Sequence, residues 1–256
     1  MSIPYLKAVR YVLPLREGGS LPAIVDADDA AQYVLKFRGA GQGPKALVAE
    51  VIAAGIAGAL GLPVPKCAIL EVEEGFGEGE PNPEIQDLLR GSIGRNFGIA
   101  YLPGALGYDP VADRALAGDA LAAEIVWFDA FISNVDRTAR NPNLLVWQQK
   151  LWLIDHGASF FLHHGAGDWT QRSQEPFALI EKHILLGQAG DLTEADARLS
   201  PLIAREVIEA VVADLPDDWL VADPEKQRRD YVRYLMDRIE GPRVWLQGAE
   251  NARRRR

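Results

Sequence analysis

The fold is decided by Ser133-Asn-Val-Asp-Arg-Thr-Ala-Arg-Asn-Pro-Asn-Leu-Leu-Val146 and by Leu151-Trp-Leu-Ile-Asp-His-Gly157, which follows it after a short polar turn. Two apolar segments separated by a polar turn predict a strand hairpin. Asp136 and Asn141 precede its first strand, and Asp155 ends its second. We therefore expect these polar side chains to gather at one end of the hairpin.

These polar residues have the chemistry that phosphoryl transfer to a hydroxyl requires. A carboxylate has to orient and deprotonate the nucleophile, and oxygen ligands have to hold magnesium ions. Asp136, Asn141 and Asp155 could supply all three groups. Asp and Asn are also common turn formers, so on this stretch alone a purely structural loop is an equal alternative.

The first part of the chain predicts a strand, a glycine-bearing turn and a second strand. Residues 5–13 alternate apolar and polar side chains, and residues 23–26 return as the second strand. The turn contains Gly18, Gly19 and Ser20. Glycine lets backbone N–H groups approach an anion closely, although a plain hairpin turn explains the same residues.

A lysine and a glutamate stand out in the next two predicted elements. Residues 32–37 predict a third strand, in which Lys36 lies between Leu35 and Phe37. A lysine in an apolar strand is unusual unless its charge has a partner. Residues 45–60 predict a helix whose one acidic residue is Glu50. A snorkelling lysine and an exposed glutamate are the alternatives.

The rest of the chain changes from strands to helices near residue 103. A strand is predicted over 65–72, an acidic surface loop over 73–83, and a strand over 94–102 that ends at Pro103-Gly104. After an irregular segment at 157–169, the remaining pattern is helical. The predicted helical segments after residue 105 are 119–132, 180–186, 201–215 and 227–239.

Composition bounds the class of protein. The 256 residues carry a net charge of −9, which argues against a general electrostatic grip on nucleic acid. The basic run Arg253–Arg256 is the one exception, and we expect it to be a solvated, disordered tail. One cysteine, no signal peptide pattern and no long apolar run favour a cytoplasmic protein without a membrane span.

The loop and hairpin resemble the catalytic core of protein-kinase-like enzymes. Asn134-Val-Asp-Arg-Thr-Ala-Arg-Asn141 is most similar to the catalytic loop of the HipA-like kinases, and phosphoinositide kinases carry a related Asp-Arg loop. No His-Arg precedes Asp136, and Asp155-His156-Gly157 stands where Asp-Phe-Gly would be. These departures favour the atypical branch and put regulation by an Asp-Phe-Gly flip in doubt.

This resemblance implies an α+β, bilobal kinase fold and an ATP- and Mg²⁺-dependent transfer to a hydroxyl, with a protein serine or threonine as the expected acceptor. The implied parts are a β-rich N-lobe with one helix at 1–102, a mainly helical C-lobe at 103–248, and a basic tail at 249–256. Lys36 and Glu50 match the Lys–Glu ion pair of kinases. Gly18, Gly19 and Ser20 would cover the nucleotide, and Ser20 is a candidate for autophosphorylation.

The resemblance also assigns the remaining roles. Backbone groups between Ala100 and Leu102 would hold the adenine edge. Asp136 would be the base, with Asn141 and Asp155 on the metal. Asn143 is an alternative metal ligand, because phosphoinositide kinases place their metal asparagine directly before the strand.

Two other function classes remain open on the sequence. A pseudokinase or nucleotide-binding module would keep the fold without catalysis. A small-molecule kinase would act on a sugar, an antibiotic or a lipid headgroup, and an acidic C-lobe would favour a cationic acceptor. A zinc site at His156, His163 and His164 is not favoured, because no further ligands stand at the right spacing.

Overall fold

The architecture, taken from a computed structural model, is α+β, with a β-rich first part and a helical second part. The structure describes residues 2–15, 21–41, 43–165, 167–220 and 223–256. Strands dominate up to residue 100, and helices dominate from residue 114 onward. The predicted class is therefore confirmed.

Five strands of the first part form a closed barrel. They are β1 (Tyr5–Pro14), β2 (Ala23–Ala27), β3 (Gln32–Lys36), β4 (Cys67–Val72) and β5 (Gly94–Ala100). Their order is β1-β2-β3-β5-β4, and the parallel pairing of β1 with β4 closes the barrel. A strand was predicted in each of these five places, the first of them from alternation, and the closure of the barrel was not predicted.

Small side chains fill the interior of this barrel. Ala23, Ala27 and Ala68 are buried beside larger residues such as Leu35 and Leu70. A small barrel has little interior volume, so alternating small and large residues fill it without strain. This packing fixes the direction in which β3 presents Lys36.

Helix α1 (Pro44–Ala59) packs against the barrel and is buried along most of its length. Helix α2 (Pro83–Arg90) was not predicted, so the expectation of a single helix within residues 1–102 is wrong. The Asn82 side chain caps α2 by accepting a hydrogen bond from the Glu84 amide at 2.9 Å. Asn82 and Pro83 are a typical helix start, which we had assigned to a surface loop.

The second part contains five helices among its described residues. They are α3 (Arg114–Phe131), α4 (Leu192–Leu199), α5 (Arg205–Ala213), α6 (Pro224–Glu240) and α7 (Val244–Arg254). A small sheet is formed by β6 (Leu106–Gly107), β7 (Leu144–Trp147) and β8 (Lys150–Leu153). Short 3₁₀ helices lie at Phe161–His164, Trp169–Arg172, Ala178–Lys182, Leu186–Gln188, Ser200–Leu202 and Asp217–Trp219. No described helix is long and apolar enough to cross a membrane.

Helix α3 is the centre of the helical core. It is interrupted at Gly118, whose φ of 56° is easily adopted by glycine, and then runs to the loop that begins at Ser133, as predicted. At its end, the buried Arg238 guanidinium donates to the carbonyls of Ala130 at 2.8 Å and Phe131 at 2.7 Å. The Ala130 carbonyl also accepts from the Ser133 amide at 3.3 Å, and the Arg238 guanidinium adds a positive charge that complements the helix dipole.

The expected disordered tail is instead part of α7, so that expectation is wrong. Arg253 and Arg254 pair with the carboxylate of Glu250 at 2.6 and 2.7 Å, three and four residues earlier on the helix. Pairs at this spacing lie on one helix face and stabilise it. The basic run is therefore a helix end that is fixed by its own acidic residue.

Helix α5 and the segment that follows it contact both the barrel and helix α1. Arg38 and Arg95 both pair with Asp218, at 2.6 and 3.2 Å, and the Trp219 indole donates to the Arg95 carbonyl at 3.0 Å. A Cβ atom on Gly55 of α1 would lie 2.6 Å from Cγ1 of Val211. The close contact at Gly55 therefore needs a residue without a side chain.

Replacing Gly55 with alanine should destabilise the protein by about 1 kcal/mol. Alanine gains roughly 0.5–1 kcal/mol in helix propensity, but overpacking against Val211 costs about 1–3 kcal/mol. Gly58 lies on the same helix and would meet no atom within 4 Å. Gly58→Ala is therefore the matched control and should be neutral or stabilising. Urea unfolding measures both, and Val211→Ala should rescue Gly55→Ala; equal effects of the two glycine variants would contradict the contact.

Candidate active site

Lys36 lies between two carboxylates, as its position in an apolar strand predicted. Its Nζ donates to Oε1 of Glu50 and, at 2.6 Å, to Oδ1 of Asp155. The other oxygen of Glu50 accepts a hydrogen bond from the His156 amide at 3.1 Å. Strand β3, helix α1 and the end of the hairpin therefore meet at this lysine.

The electrostatics of this trio favour a charged lysine. Burial alone would lower the pKa of Lys36, but the two carboxylates outweigh it and raise the pKa above its ordinary value. For Asp155, burial acts upward, yet the Lys36 ammonium holds the pKa below the usual range. Burial raises the pKa of Glu50, because only 1% of that side chain is exposed.

Asp136 and the two candidate asparagines are brought together at one carboxylate oxygen. Oδ2 of Asp136 accepts from the side-chain amide of Asn141 at 2.7 Å and from that of Asn143 at 3.2 Å. A carboxylate only accepts, so both amides turn their nitrogens toward it. Their carbonyl oxygens then remain available for a hard cation such as Mg²⁺.

Backbone hydrogen bonds fix the shape of the loop. The Thr138 amide lies 3.0 Å from the Asp136 carbonyl and 2.9 Å from the Asn141 carbonyl, and so closes the turn between them. The Asn143 carbonyl accepts from the Ile154 amide at 3.1 Å, which joins the loop to strand β8. The predicted hairpin thus places Asp136, the candidate base, next to the end of β8 that carries Asp155.

Several residues here have a left-handed backbone. Ser133, Asn143 and Asp155 have φ angles of 54°, 49° and 55°. Residues other than glycine adopt this region at a cost, and such positions concentrate at functional sites. Each flanks the loop or the end of the hairpin, so the backbone strain coincides with the candidate site.

Beneath the loop lies a buried charge network that the sequence analysis missed. Arg137 donates to the Asp129 carboxylate at 2.5 Å and to the Ile154 carbonyl at 3.3 Å. His183 contacts the same carboxylate at 2.9 Å, and Asn134 donates to it at 3.0 Å. Arg137 and Asp129 have fully buried side chains. Although burial alone would raise it, Arg137 and His183 hold the pKa of Asp129 below its ordinary value.

His156 occupies the position that resembled the phenylalanine of Asp-Phe-Gly. Its ring is buried edge-on to Phe128, with 5.9 Å between ring centroids. Nδ1 lies 3.2 Å from the Arg137 guanidinium, which can only donate, so Nδ1 is the acceptor. Burial lowers the pKa of His156 to about 3, so the ring packs as a neutral group.

The other histidines form no metal cluster. His163 contacts the Tyr231 hydroxyl through Nδ1 at 2.8 Å and His164 through Nε2 at 2.9 Å. In the part of the chain that the structure describes, no three His, Cys, Asp or Glu residues are grouped to hold a metal ion.

The residues that were predicted to cover or hold the nucleotide differ in what the structure shows of them. Gly18, Gly19 and Ser20 lie outside the described residues. The Ala100 amide donates to the Lys66 carbonyl at 2.7 Å, so that amide is already committed within the barrel. The Leu102 amide makes no backbone hydrogen bond to any described residue, and it remains the candidate donor for an adenine edge.

Asn141→Ala should raise the Mg²⁺ concentration needed for half-maximal phosphoryl transfer by about ten-fold or more, because it removes an exposed oxygen of the kind that Mg²⁺ prefers. Asn143→Ala should instead lower stability by about 1 kcal/mol, because alanine tolerates the left-handed backbone less well than asparagine. Magnesium titrations of the rate and urea unfolding of both variants measure this. A shift in Mg²⁺ dependence for Asn143→Ala alone would reverse the assignment.

Comparison with known proteins identifies the family to which the chain belongs. The HipA-like kinase family model matches residues 9–247, so the chain belongs to the HipA-like kinase family. Among solved structures, it is similar to the Helicobacter pylori proinflammatory kinase CtkA, with a TM-score of 0.58 and 12% sequence identity over 98% of this chain and 99% of that chain. At this identity, the likeness shows the fold. A search of curated proteins finds no match.

The resemblance predicted from the loop is thereby confirmed. The family and the fold together support a kinase-type phosphotransferase.

Proposed function

We propose that this protein is an ATP- and Mg²⁺-dependent kinase that phosphorylates a serine or threonine hydroxyl of a protein. One observation supports this proposal most directly: two groups of polar residues lie at the same end of the β7–β8 hairpin. Lys36, paired with Glu50, contacts Asp155, and Asp136 holds the amides of Asn141 and Asn143. Charge placement of this kind is what phosphoryl transfer needs.

In this proposal, ATP binds between an N-lobe at 1–102 and a C-lobe at 103–248. The Lys36 ammonium neutralises charge on the nucleotide phosphates, and Glu50 keeps it in position. The Leu102 amide donates to the adenine edge. Asp155 and Asn141 have the oxygen donors that Mg²⁺ prefers, and Mg²⁺ would supply charge neutralisation at the phosphates.

Asp136 acts on the acceptor. Its carboxylate orients the hydroxyl and takes the proton as the oxygen–phosphorus bond forms and the bond from the γ-phosphorus to the bridging oxygen of ATP breaks. ADP and the phosphorylated acceptor are the products. The two asparagine amides hold the carboxylate in one orientation. Most of the rate enhancement then comes from positioning and charge.

Titration of ATP into the protein, with and without Mg²⁺, tests nucleotide binding. We expect Mg²⁺-dependent binding that Lys36→Met weakens by about ten-fold or more, because a charged contact to phosphate is lost. Lys7→Met is the matched control, since Lys7 is an exposed lysine that also pairs with a glutamate, Glu73. It should change affinity by less than about two-fold, in line with the small worth of exposed ion pairs.

The outcomes separate the candidate functions. Absence of ATP binding to a folded wild-type protein would contradict the proposal. Binding without ADP release or phosphate gain on any acceptor would favour the pseudokinase. Turnover with small cationic acceptors but not with proteins would favour a small-molecule kinase.

A further inference from the structure

A second segment lies directly against the catalytic loop. Thr138 and His183 form an antiparallel backbone bridge, and the Ile184 amide donates to the Arg137 carbonyl at 3.1 Å. The 3₁₀ helix at Ala178–Lys182 leads into this contact. Residues around position 182 are therefore neighbours of the loop that carries Asp136.

Two cations at this junction have no partner among the described residues. Arg140 is exposed at the tip of the catalytic loop, four residues after Asp136. Lys182 is exposed directly before the bridge residue His183. Neither makes a hydrogen bond or an ion pair with the part of the chain that the structure describes. The charges of these two side chains are therefore free for a ligand.

The basic end of α7 extends the same surface. The Arg255 guanidinium pairs with Glu181, and Arg256 donates to the Glu181 carbonyl at 2.6 Å. Arg254 is 64% exposed beside them. The end of α7 is thus docked next to Lys182, in contact with the segment that borders the catalytic loop.

Together these residues form what we term the basic rim. It consists of Arg140, Lys182, Arg254, Arg255 and Arg256. Against five positive charges stand two carboxylates, Glu181 and Glu250, and Glu250 also pairs with Arg253. The chain as a whole has a net charge of −9. The rim is therefore a local excess of positive charge on a negatively charged protein, and its Arg140 lies four residues after Asp136.

We propose that the basic rim binds an acidic segment of the protein acceptor, so that the phosphorylated serine or threonine is flanked by aspartate, glutamate or phosphorylated residues. The inference rests on the proposed function and names the substrate class for that site. Complementary charge raises the association rate and suppresses wrong partners. A cationic acceptor does not fit this surface, because the free charges of Arg140 and Lys182 would repel it.

An acidic protein segment fits better than a nucleic acid. The strongly negative charge of the rest of the chain would repel an extended polyanion. A short acidic segment reaches the rim without covering the acidic surface.

The test uses labelled short peptides that share one central serine and differ only in the flanking residues, which are glutamate, glutamine or lysine. Fluorescence anisotropy measures binding at low and high salt, and ADP release measures transfer. We expect the glutamate peptide to bind about ten-fold more tightly than the glutamine peptide, with the difference lost at high salt. The lysine peptide should bind most weakly.

A double variant, Arg140→Gln with Lys182→Gln, should abolish most of this preference. The matched control is Lys7→Gln with Arg90→Gln, which removes two exposed cations from the barrel and α2. The control should keep the preference. An equal loss of the preference for the glutamate peptide in both double variants would show a general charge effect and contradict the proposed role of the rim.

The failure of the rim and the failure of the kinase give different results. Transfer to all peptides without a charge preference would overturn the rim and leave the kinase intact. A salt-sensitive preference for the glutamate peptide without transfer would support the rim and count against the kinase. Tighter binding of a single-stranded oligonucleotide than of the glutamate peptide would overturn the acidic-protein assignment.

Discussion

Asp136→Asn is expected to lower the rate of phosphoryl transfer by about 10²–10⁴-fold, the range that general-base catalysis contributes. Asparagine has nearly the same shape as aspartate, but it cannot take the proton of the acceptor hydroxyl. Its carbonyl oxygen can still accept from the side-chain amides of Asn141 and Asn143, so the loss tests the base rather than the loop geometry. The measurement is ADP release under saturating ATP and Mg²⁺.

Nucleotide affinity should change by less than about two-fold in the same variant, because the proposed mechanism has Asp136 act on the acceptor and not on the phosphates. Asp87→Asn is the control, since Asp87 is an exposed carboxylate on α2 that pairs with Arg90. It should retain the wild-type rate. A rate for Asp136→Asn near that of the wild type would remove Asp136 from the role of base.

Asp129→Ala should lower the free energy of unfolding by about 3–5 kcal/mol, the cost of leaving a buried charge without its partner. The Arg137 guanidinium would stay buried with its carboxylate removed, and His183 would lose its acceptor. Urea unfolding at neutral pH measures the loss. The catalytic loop should also lose its fixed geometry, because Arg137 joins it to the hairpin.

The double variant Asp129→Ala with Arg137→Met distinguishes charge from packing. Once both charges are gone, the double variant should be less destabilised than the sum of the single variants, with a coupling of about 1–3 kcal/mol. Asp119→Ala, an exposed site on α3, should cost less than about 1 kcal/mol. Strict additivity of the two buried substitutions would contradict a charge pair that supports the loop.

The elements around the site could be predicted because their local signals are strong. The polar turn between apolar runs predicted the hairpin, and Lys36 stood out because an apolar strand rarely carries an unpaired charge. Glu50 stood out as the one acid on an apolar helix. These expectations agree with the strands, with α1 and with the contact between the two side chains.

Other features depend on contacts between residues far apart in the chain. The parallel pairing of β1 with β4 joins Tyr5 to Ile69, and no local pattern encodes it. The arginines at the end of α7 pair with Glu250 on the same helix and with Glu181, which lies in another segment of the chain. Tertiary contacts of this kind override a charge run that would be solvated on its own.

Two omissions were avoidable. Asp129 is the one charged residue in the apolar run 125–132, which is the same signal that identified Glu50. Its burial with Arg137 could have been predicted by the same argument. Likewise, Asn82-Pro83-Glu84 before a hydrophobic pair is a helix start, and it was assigned to a loop because the glycines and acids before it dominated the segment.

The measurement that tests the central claim most directly is intact mass combined with ADP release, on wild-type protein and Asp136→Asn incubated with ATP, Mg²⁺ and acidic acceptor peptides. We predict a gain of phosphate on an acceptor, or on the protein itself at a residue such as Ser20, together with ADP that depends on Mg²⁺ and on Asp136. Neither product from a folded wild-type protein that binds ATP, or equal product from both proteins, would contradict the account.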